Sequence, residues 1–212
     1  MIDGSDGSGK RTQAELLQAY FESKGEEALL VSFPRYQEFF GKLLRDLLDG
    51  KEGDFISVSP RLASLAYAAD RLDAASEIRA ALRSGKHVIC DRYVSANQIH
   101  QGGKISDVSK RIEFLEWLDV MEYRKFGVPR PDISIYLDVP VAISLELMAD
   151  KAKDAAESNI AHLQASVETA KWLIKHEPDK WIHIECAPWG KMISRKAIHE
   201  ELVHQLNLKA IR

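Results

Sequence analysis

An α/β fold with a mainly parallel, five-stranded sheet flanked by helices is what this sequence of 212 residues predicts, on three observations. Short apolar runs alternate with stretches of helical period, the pattern of a parallel sheet with crossover helices. The first such run leads straight into Gly4-Ser5-Asp6-Gly7-Ser8-Gly9-Lys10-Arg11-Thr12, which fits the phosphate-binding pattern G-x-x-x-x-G-K. The ends of the apolar runs carry the polar clusters Gly4–Lys10, Phe33–Tyr36, Asp91–Tyr93 and Asp138, and ligands of such sheets bind at the carboxyl ends of the strands. Together these predict a three-layer P-loop fold, one domain over residues 1–212.

Taken in order, the first strand has only Met1, Ile2 and Asp3 ahead of Gly4, against a usual strand of about 5–6 residues; a chain that begins inside its first strand, through a truncated or misassigned start, is expected, with reduced stability as the consequence. Leu16, Leu17, Tyr20 and Phe21 give a helix over Thr12–Lys24, with Gly25 as its cap. Ala28–Phe33 is a buried strand stopped by Pro34. Leu43, Leu44, Leu47 and Leu48 mark a helix ending at Asp49-Gly50, and Lys51–Phe55 is a polar loop. Ser59-Pro60 starts a long helix, a capping hydroxyl followed by proline in the first turn. Its apolar period runs from Leu62 to Leu82, a length that allows a kink near Asp70–Asp73. His87–Cys90 is the third strand, Val108–Lys125 a helix broken by Pro129 and Pro131, and Ile133–Leu137 the fourth strand. A helix from Pro140 to Ala149, the polar, alanine-rich Lys151–Ser158, a helix over Ile160–His176, a strand over Trp181–Cys186 and a helix over Ile198–Leu206 complete the chain.

The net charge of −3 argues against a general nucleic-acid or membrane binder, so a phosphate site must be a local basic cluster. Cys90 and Cys186 lack metal spacing and read as free thiols of a reducing compartment, with Cys90 in the core. No signal peptide and no apolar run near 18 residues are found, so a cytoplasmic protein is expected.

The loop's residue types fit phosphate chemistry. Glycines let several backbone N–H groups converge on one phosphate, the next helix presents its positive end, and Lys10 adds a mobile charge. One position departs from the pattern: Arg11 stands where a Mg²⁺-binding hydroxyl is usual, with Thr12 one place late. Either other groups and water hold the metal, or Arg11 points away and Thr12 compensates. Asp91, at a strand end beside this loop, is placed to hold Mg²⁺ directly or through water, and Arg92 suits a phosphate; alone the pair reads equally as a surface salt bridge. Phe33-Pro34-Arg35-Tyr36 can bind a phosphate and wall a flat base, or be core phenylalanine beside a solvated arginine. Tyr67 and Arg71 share a helix face: a base platform with an edge-reading arginine, or a half-buried tyrosine under an arginine stem.

The loop with Asp6 inside it, Phe33-Pro34-Arg35-Tyr36, Tyr67-Ala68-Ala69-Asp70-Arg71, Asp91-Arg92-Tyr93 with Asn97, and Pro131-Asp132 occur in order. This series resembles the thymidylate kinases over nearly the whole chain. The resemblance implies dTMP phosphorylation with ATP and Mg²⁺, a small mobile lid at about 150–158, and a homodimer. It also implies roles. The loop Gly4–Thr12 holds ATP. Asp6 contacts the dTMP sugar and orients Arg35, while Arg35 and Arg92 bind the acceptor phosphate. Phe33 and Tyr36 line the pocket and Tyr67 stacks on thymine. Arg71 and Asn97 bond the base, and Asp91 serves the metal. His100 stands where these enzymes often have a tyrosine near the sugar, which leaves deoxy-against-ribo selection open. Their catalytic arginine lies at the position of Gly7 or in the lid; here the lid offers only Lys151 and Lys153, and Ala156 replaces an aromatic or His. Lysine cannot bridge two phosphates as arginine does, so slow or altered catalysis is expected unless Arg11 supplies the charge. A related kinase with another nucleotide or nucleoside acceptor, and a nucleotide-binding protein with weakened catalysis, are the alternatives.

Overall fold

The computed structural model describes residues 1–149 and 159–210. Five strands, β1 (Ile2–Gly4), β2 (Ala28–Ser32), β3 (His87–Asp91), β4 (Ser134–Asp138) and β5 (Trp181–Glu185), form one sheet in the order β2-β3-β1-β4-β5. Every pairing is parallel. Parallel neighbours need crossovers, and helices supply them on both faces. On one face α1 (Lys10–Ser23) and α8 (Arg195–Ala210) place Ala14, Leu17, Ile198 and Leu202 against Ile135, Leu137, Ile182 and Ile184. On the other, α3 (Pro60–Arg83) and α5 (Val108–Asp119) pack Ala74, Ile78, Phe114 and Leu118 over Val31 and Cys90. The strands alternate accordingly: Ile135 and Leu137 face α1 and α8, while Tyr136 between them joins Ala170 and Leu173 of α7 (Ile160–His176).

The three-layer expectation holds, and most boundaries fall within a few residues of the sequence reading. α3 is one continuous helix of 24 residues; Ser59 caps it by accepting from Leu62 N–H. β1 has three residues, paired to β4 from Ile2 to Gly4 but to β3 only through Ile2 and Asp91. Below it a cleft of about 480 Å³, lined by Val88, Cys90, Ile133 and Ile135 among others, separates β3 from β4. The Met1 ammonium donates to Ile133 O at 2.8 Å there, and burial pushes its pKa down.

Three segments differ from expectation. α2 (Phe39–Leu48) starts earlier than its leucines do, because Phe39 is 76% exposed and carries no periodicity. The expected polar loop contains a buried residue: Phe55 packs with Leu44, Leu48 and Ala63. A helical stretch over residues 94–101, α4 (Val94–Ala96) running into a π-helical turn at Asn97–Gln101, has no counterpart in the apolar pattern. A second π-helical turn, Val120–Lys125, ends α5. π turns concentrate at functional sites; the first of these lines the cleft described next through Asn97, His100 and Gln101, and the second reaches it only through Glu122, which bonds Arg71 and Asn97. α6 (Val141–Leu147) follows β4.

Candidate active site

The Gly4–Lys10 loop leaves β1 at the carboxyl edge of the sheet and ends in α1, whose N-cap is Gly9 with no side chain capping it. The first-turn N–H groups of α1 are thus left for a ligand. Ser8 Oγ is buried without a hydrogen-bond partner. Lys10 is turned inward, donating to Gly4 O at 3.0 Å and Ser5 O at 2.8 Å, with Asp6 Oδ1 at 3.6 Å. Burial, then the charge of Arg92, lower its pKa. Ser5 Oγ donates to Val139 O at 3.0 Å and Ser144 Oγ to Asp6 O, which fasten the loop to β4 and α6. An unsatisfied hydroxyl, an uncapped helix and an inward lysine around one turn of backbone are the donor set of an anion cradle, and a polyphosphate fits it.

Gly7, the loop position where part of the family carries arginine, leaves little room for a side chain. Its φ is +75°, and a Cβ there meets Leu147 Cβ and Met148 Cγ at 3.3 Å. α6 has closed over the position. Gly7→Arg is therefore expected to cost about 1–2 kcal/mol of stability and to bring no gain in kcat; thermal melting and steady-state rates check both halves.

Arg92 follows β3 with φ +61°, a left-handed backbone uncommon for a residue with a side chain. Its Nη2 donates to Asp6 Oδ1, its Nη1 lies 3.1 Å from His100 Nε2, and Asp3 Oδ1 is 4.0 Å away. Burial alone would raise the Asp6 pKa; Arg92 and Lys10 outweigh it and hold the carboxyl well below its usual range. The sign for stability follows: a depressed folded pKa stabilises above the unfolded value of about 3.9, and that contribution is lost as pH falls through the folded pKa. Asp6 is thus the partner of Arg92 and not, as expected, of Arg35. Arg35 is taken by α3: its backbone N–H and Nε bond Asp70 at 2.8 and 2.9 Å, and its Nη2 bonds Asp73 at 2.5 Å. The chain turns after the cis Phe33–Pro34 bond and lays Arg35 on that helix. Gly41 lets α2 close over it; a Cβ there would sit 1.9 Å from Arg35 O. Arg35 does not line the cleft.

That cleft is walled by Phe33, Tyr36, Tyr67 and Phe55, and Arg92, Asp6, Arg71 and Asn97 also line it. Phe55 meets Tyr67 with ring centroids 6.0 Å apart. The Arg45 guanidinium stacks 3.8 Å over Tyr36. Arg71 is no exposed stem; it is 2% exposed and bonded to fully buried Glu122 through Nε at 2.9 Å and through Nη2. Its Nη1 reaches Tyr93 O at 3.2 Å. Burial opposes the guanidinium charge and Glu122 more than restores it. Asn97 Nδ2 donates to Glu122 Oε1 at 3.0 Å and to Ser64 O at 3.1 Å. Two Arg71 N–H groups are left of the five a guanidinium carries. Sequence reasoning missed Glu122, Phe55 and Gln101. Gln101 lines the cleft and its Oε1 is buried without a partner; its place four residues after Asn97 was the available signal.

Arg11 points away from the loop, donating to Glu15 at 2.6 Å and to Ser32 Oγ at 2.5 Å, and Thr12 is half-buried. Ser32 Oγ in turn lies 3.4 Å from Asp91 Oδ2. Asp91 is half-buried beside Lys10 and Arg92, and burial raises its pKa. Among the described residues no group of three or more His, Cys, Asp or Glu could hold a metal ion. A lone carboxylate at a phosphate cradle suits Mg²⁺, which keeps waters and shares its shell with substrate phosphates. Asp138, the remaining strand-end acid, is tied to Lys171 at 3.1 Å and His183 at 3.0 Å. Lys151, Lys153 and the expected lid at 150–158 lie outside the described residues.

The family model described as thymidylate kinase matches residues 2–195. A protein of Pyrococcus abyssi named probable thymidylate kinase is 35% identical over 205 residues, 96% of this chain and 92% of that one. One of Thermococcus gammatolerans with the same name is 37% identical over 172 residues, 79% of this chain and 77% of that protein. The thymidylate kinase of Mycobacterium tuberculosis is 28% identical over 190 residues, 89% of this chain and 86% of that protein.

Proposed function

From the premise that this chain belongs to the thymidylate kinase family, we infer that it is a phosphotransferase converting dTMP to dTDP with ATP and Mg²⁺. The observation that carries the reading is the meeting of two sites at Asp6 and Arg92. An anion cradle lies on the Lys10 side, and an aromatic-lined cleft that includes the buried Arg71 lies on the other.

The ATP phosphates sit on the loop Gly4–Thr12, held by backbone N–H groups, Ser8 Oγ, the α1 N-terminus and Lys10, which swings from the loop carbonyls to the phosphates. Asp91, with phosphate oxygens and water, would hold Mg²⁺, which when bound neutralises charge on the phosphates. Arg11 cannot replace the missing hydroxyl ligand, but it keeps a positive charge one hydrogen-bonded residue from Asp91. dTMP lies in the cleft with thymine against Tyr67 and between Phe33, Tyr36 and Phe55. The spare N–H groups of Arg71, with Asn97 and Gln101, meet the base edge. Arg92 takes the acceptor phosphate; Arg35 joins only by exchanging half-exposed Asp73 for it. The residues position two anions in line and stabilise the charge that moves between them, with no covalent intermediate.

Leu62, Leu65 and Leu72 of α3 and Val108 and Ile112 of α5 are 37–60% exposed, an apolar face that supports a homodimer. Among the described residues no helix is long and apolar enough to cross a membrane. Cys90 and Cys186 are free and buried, which supports the expected reducing cytoplasm.

The base reading has its own test. The spare Arg71 donors require acceptors, and thymine presents carbonyl O4 where cytosine presents an amino group. Calorimetric titration should show dTMP binding at least tenfold tighter than dCMP, because a mismatched donor leaves buried polar groups unpaired. Equal affinities would remove Arg71 from base recognition.

A further inference from the structure

His100 lies in the π-helical turn Asn97–Gln101, with its ring between Arg92 and α7. Its Nε2 is 3.1 Å from Arg92 Nη1 and its Nδ1 is 3.2 Å from Ser166 Oγ. Ser166 Oγ donates to His162 O at 2.8 Å, and the His162 ring stacks on His100 with centroids 5.7 Å apart. One arrangement of protons satisfies all of these contacts. A guanidinium only donates, so Nε2 must present its lone pair. The ring proton is then on Nδ1 and goes to Ser166 Oγ, whose own hydrogen goes to the His162 carbonyl. Such a ring is neutral. Burial and then the charge of Arg92 push its pKa down to about 4.

The consequence falls on Arg92. Asp6 holds Nη2 and His100 holds Nη1. Anchored at both terminal nitrogens, the guanidinium keeps one orientation and still has three N–H groups to offer. Anchored at Asp6 alone, it could pivot about that contact. We propose that His100 is a positioning residue for the acceptor phosphate: with Ser166 fixing its tautomer, it holds the second end of Arg92 so that the remaining N–H groups face that phosphate. The proposal rests on the reading of the cleft as the dTMP site. It differs from a part in sugar selection, the role expected at this position from the family's tyrosine. A group that acts through Arg92 affects ligands that carry a phosphate and spares those that do not.

Calorimetric titration with dTMP and with thymidine, on the full chain and on His100→Phe, His100→Gln and Ser166→Ala, tests this. His100→Phe removes the lone pair and should weaken dTMP about tenfold or more, the scale of one charge-assisted hydrogen bond, while thymidine changes by less than about twofold. His100→Gln should recover most of the loss, since its amide oxygen accepts from Arg92 and its NH₂ donates to Ser166. Ser166→Ala keeps the ring but releases its tautomer and should weaken dTMP by a smaller factor, again sparing thymidine. Equal losses for both ligands, full dTMP affinity in His100→Phe, or a glutamine variant no better than phenylalanine would overturn the proposal. If melting shows His100→Phe unfolded, Ser166→Ala decides: a loss confined to dTMP supports the positioning role, and unchanged dTMP affinity overturns it. Failure of the unaltered protein to bind dTMP would instead strike at the functional reading.

Discussion

Replacing Glu122 with leucine should destabilise the protein by about 3–5 kcal/mol, the usual cost of leaving a buried charge without its partner. For a chain of this size that lowers the melting temperature by roughly 6–20 °C. Arg71 is 2% exposed and Glu122 fully buried, so water cannot replace the lost carboxylate. Asn97 loses its bond to Glu122 Oε1 at the same time. dTMP affinity should therefore fall more than tenfold, since both base-edge residues lose their anchor. The double variant Arg71→Met/Glu122→Leu separates fold from function. Swapping a whole buried pair for apolar groups is often neutral, so its melting temperature should return most of the way while dTMP binding stays weak. A double variant as unstable as the single one would mean the region's stability does not rest on this pair. Recovery of dTMP affinity would remove Arg71 from the site.

The second large effect is expected at Lys10. Lys10→Ala should lower kcat by about 10²–10³-fold, the range for removing one preorganised charge stabiliser from a transition state. dTMP binding should change little, because the cleft is built around Arg92, Arg71 and Asn97. The melting temperature should also hold within a few degrees. The Lys10 ammonium is disfavoured by burial and by Arg92, and Asp6 keeps Arg92 as its partner when the lysine is gone. Steady-state kinetics, calorimetry and melting on one preparation separate these three readouts. A parallel loss of all three would make Lys10 a structural residue of the loop.

The sheet and its helices were legible because apolar period and Gly/Pro punctuation are local signals, and they place β2–β5 and the long α3 within a residue or two. The phosphate loop was legible because backbone geometry demands its glycines. What escaped depends on partners distant in sequence. Glu122 stands in Val120-Met121-Glu122-Tyr123-Arg124-Lys125, which reads as an amphipathic helix surface. A π turn rotates the register so that Met121 and Glu122 both face inward. Arg35 carries no sign that Asp70 and Asp73, on another helix, will capture it. Arg11 and Arg92 show the same limit from the other side. Their identities were plain, but their directions were set by Ser32, Glu15, Asp6 and His100 across the strand ends.

The central claim is transfer of a phosphoryl group between two bound nucleotides. The measurement that tests it most directly is a product-resolved assay with ATP and Mg²⁺, offering dTMP, dUMP, dCMP, the ribose analogue of dTMP and thymidine in parallel. The account predicts dTDP formed one for one with ADP from dTMP, at a turnover of roughly 1–100 s⁻¹, and lost in Lys10→Ala. ATP breakdown without dTDP, or no transfer to any acceptor by a folded protein that binds dTMP, would contradict it.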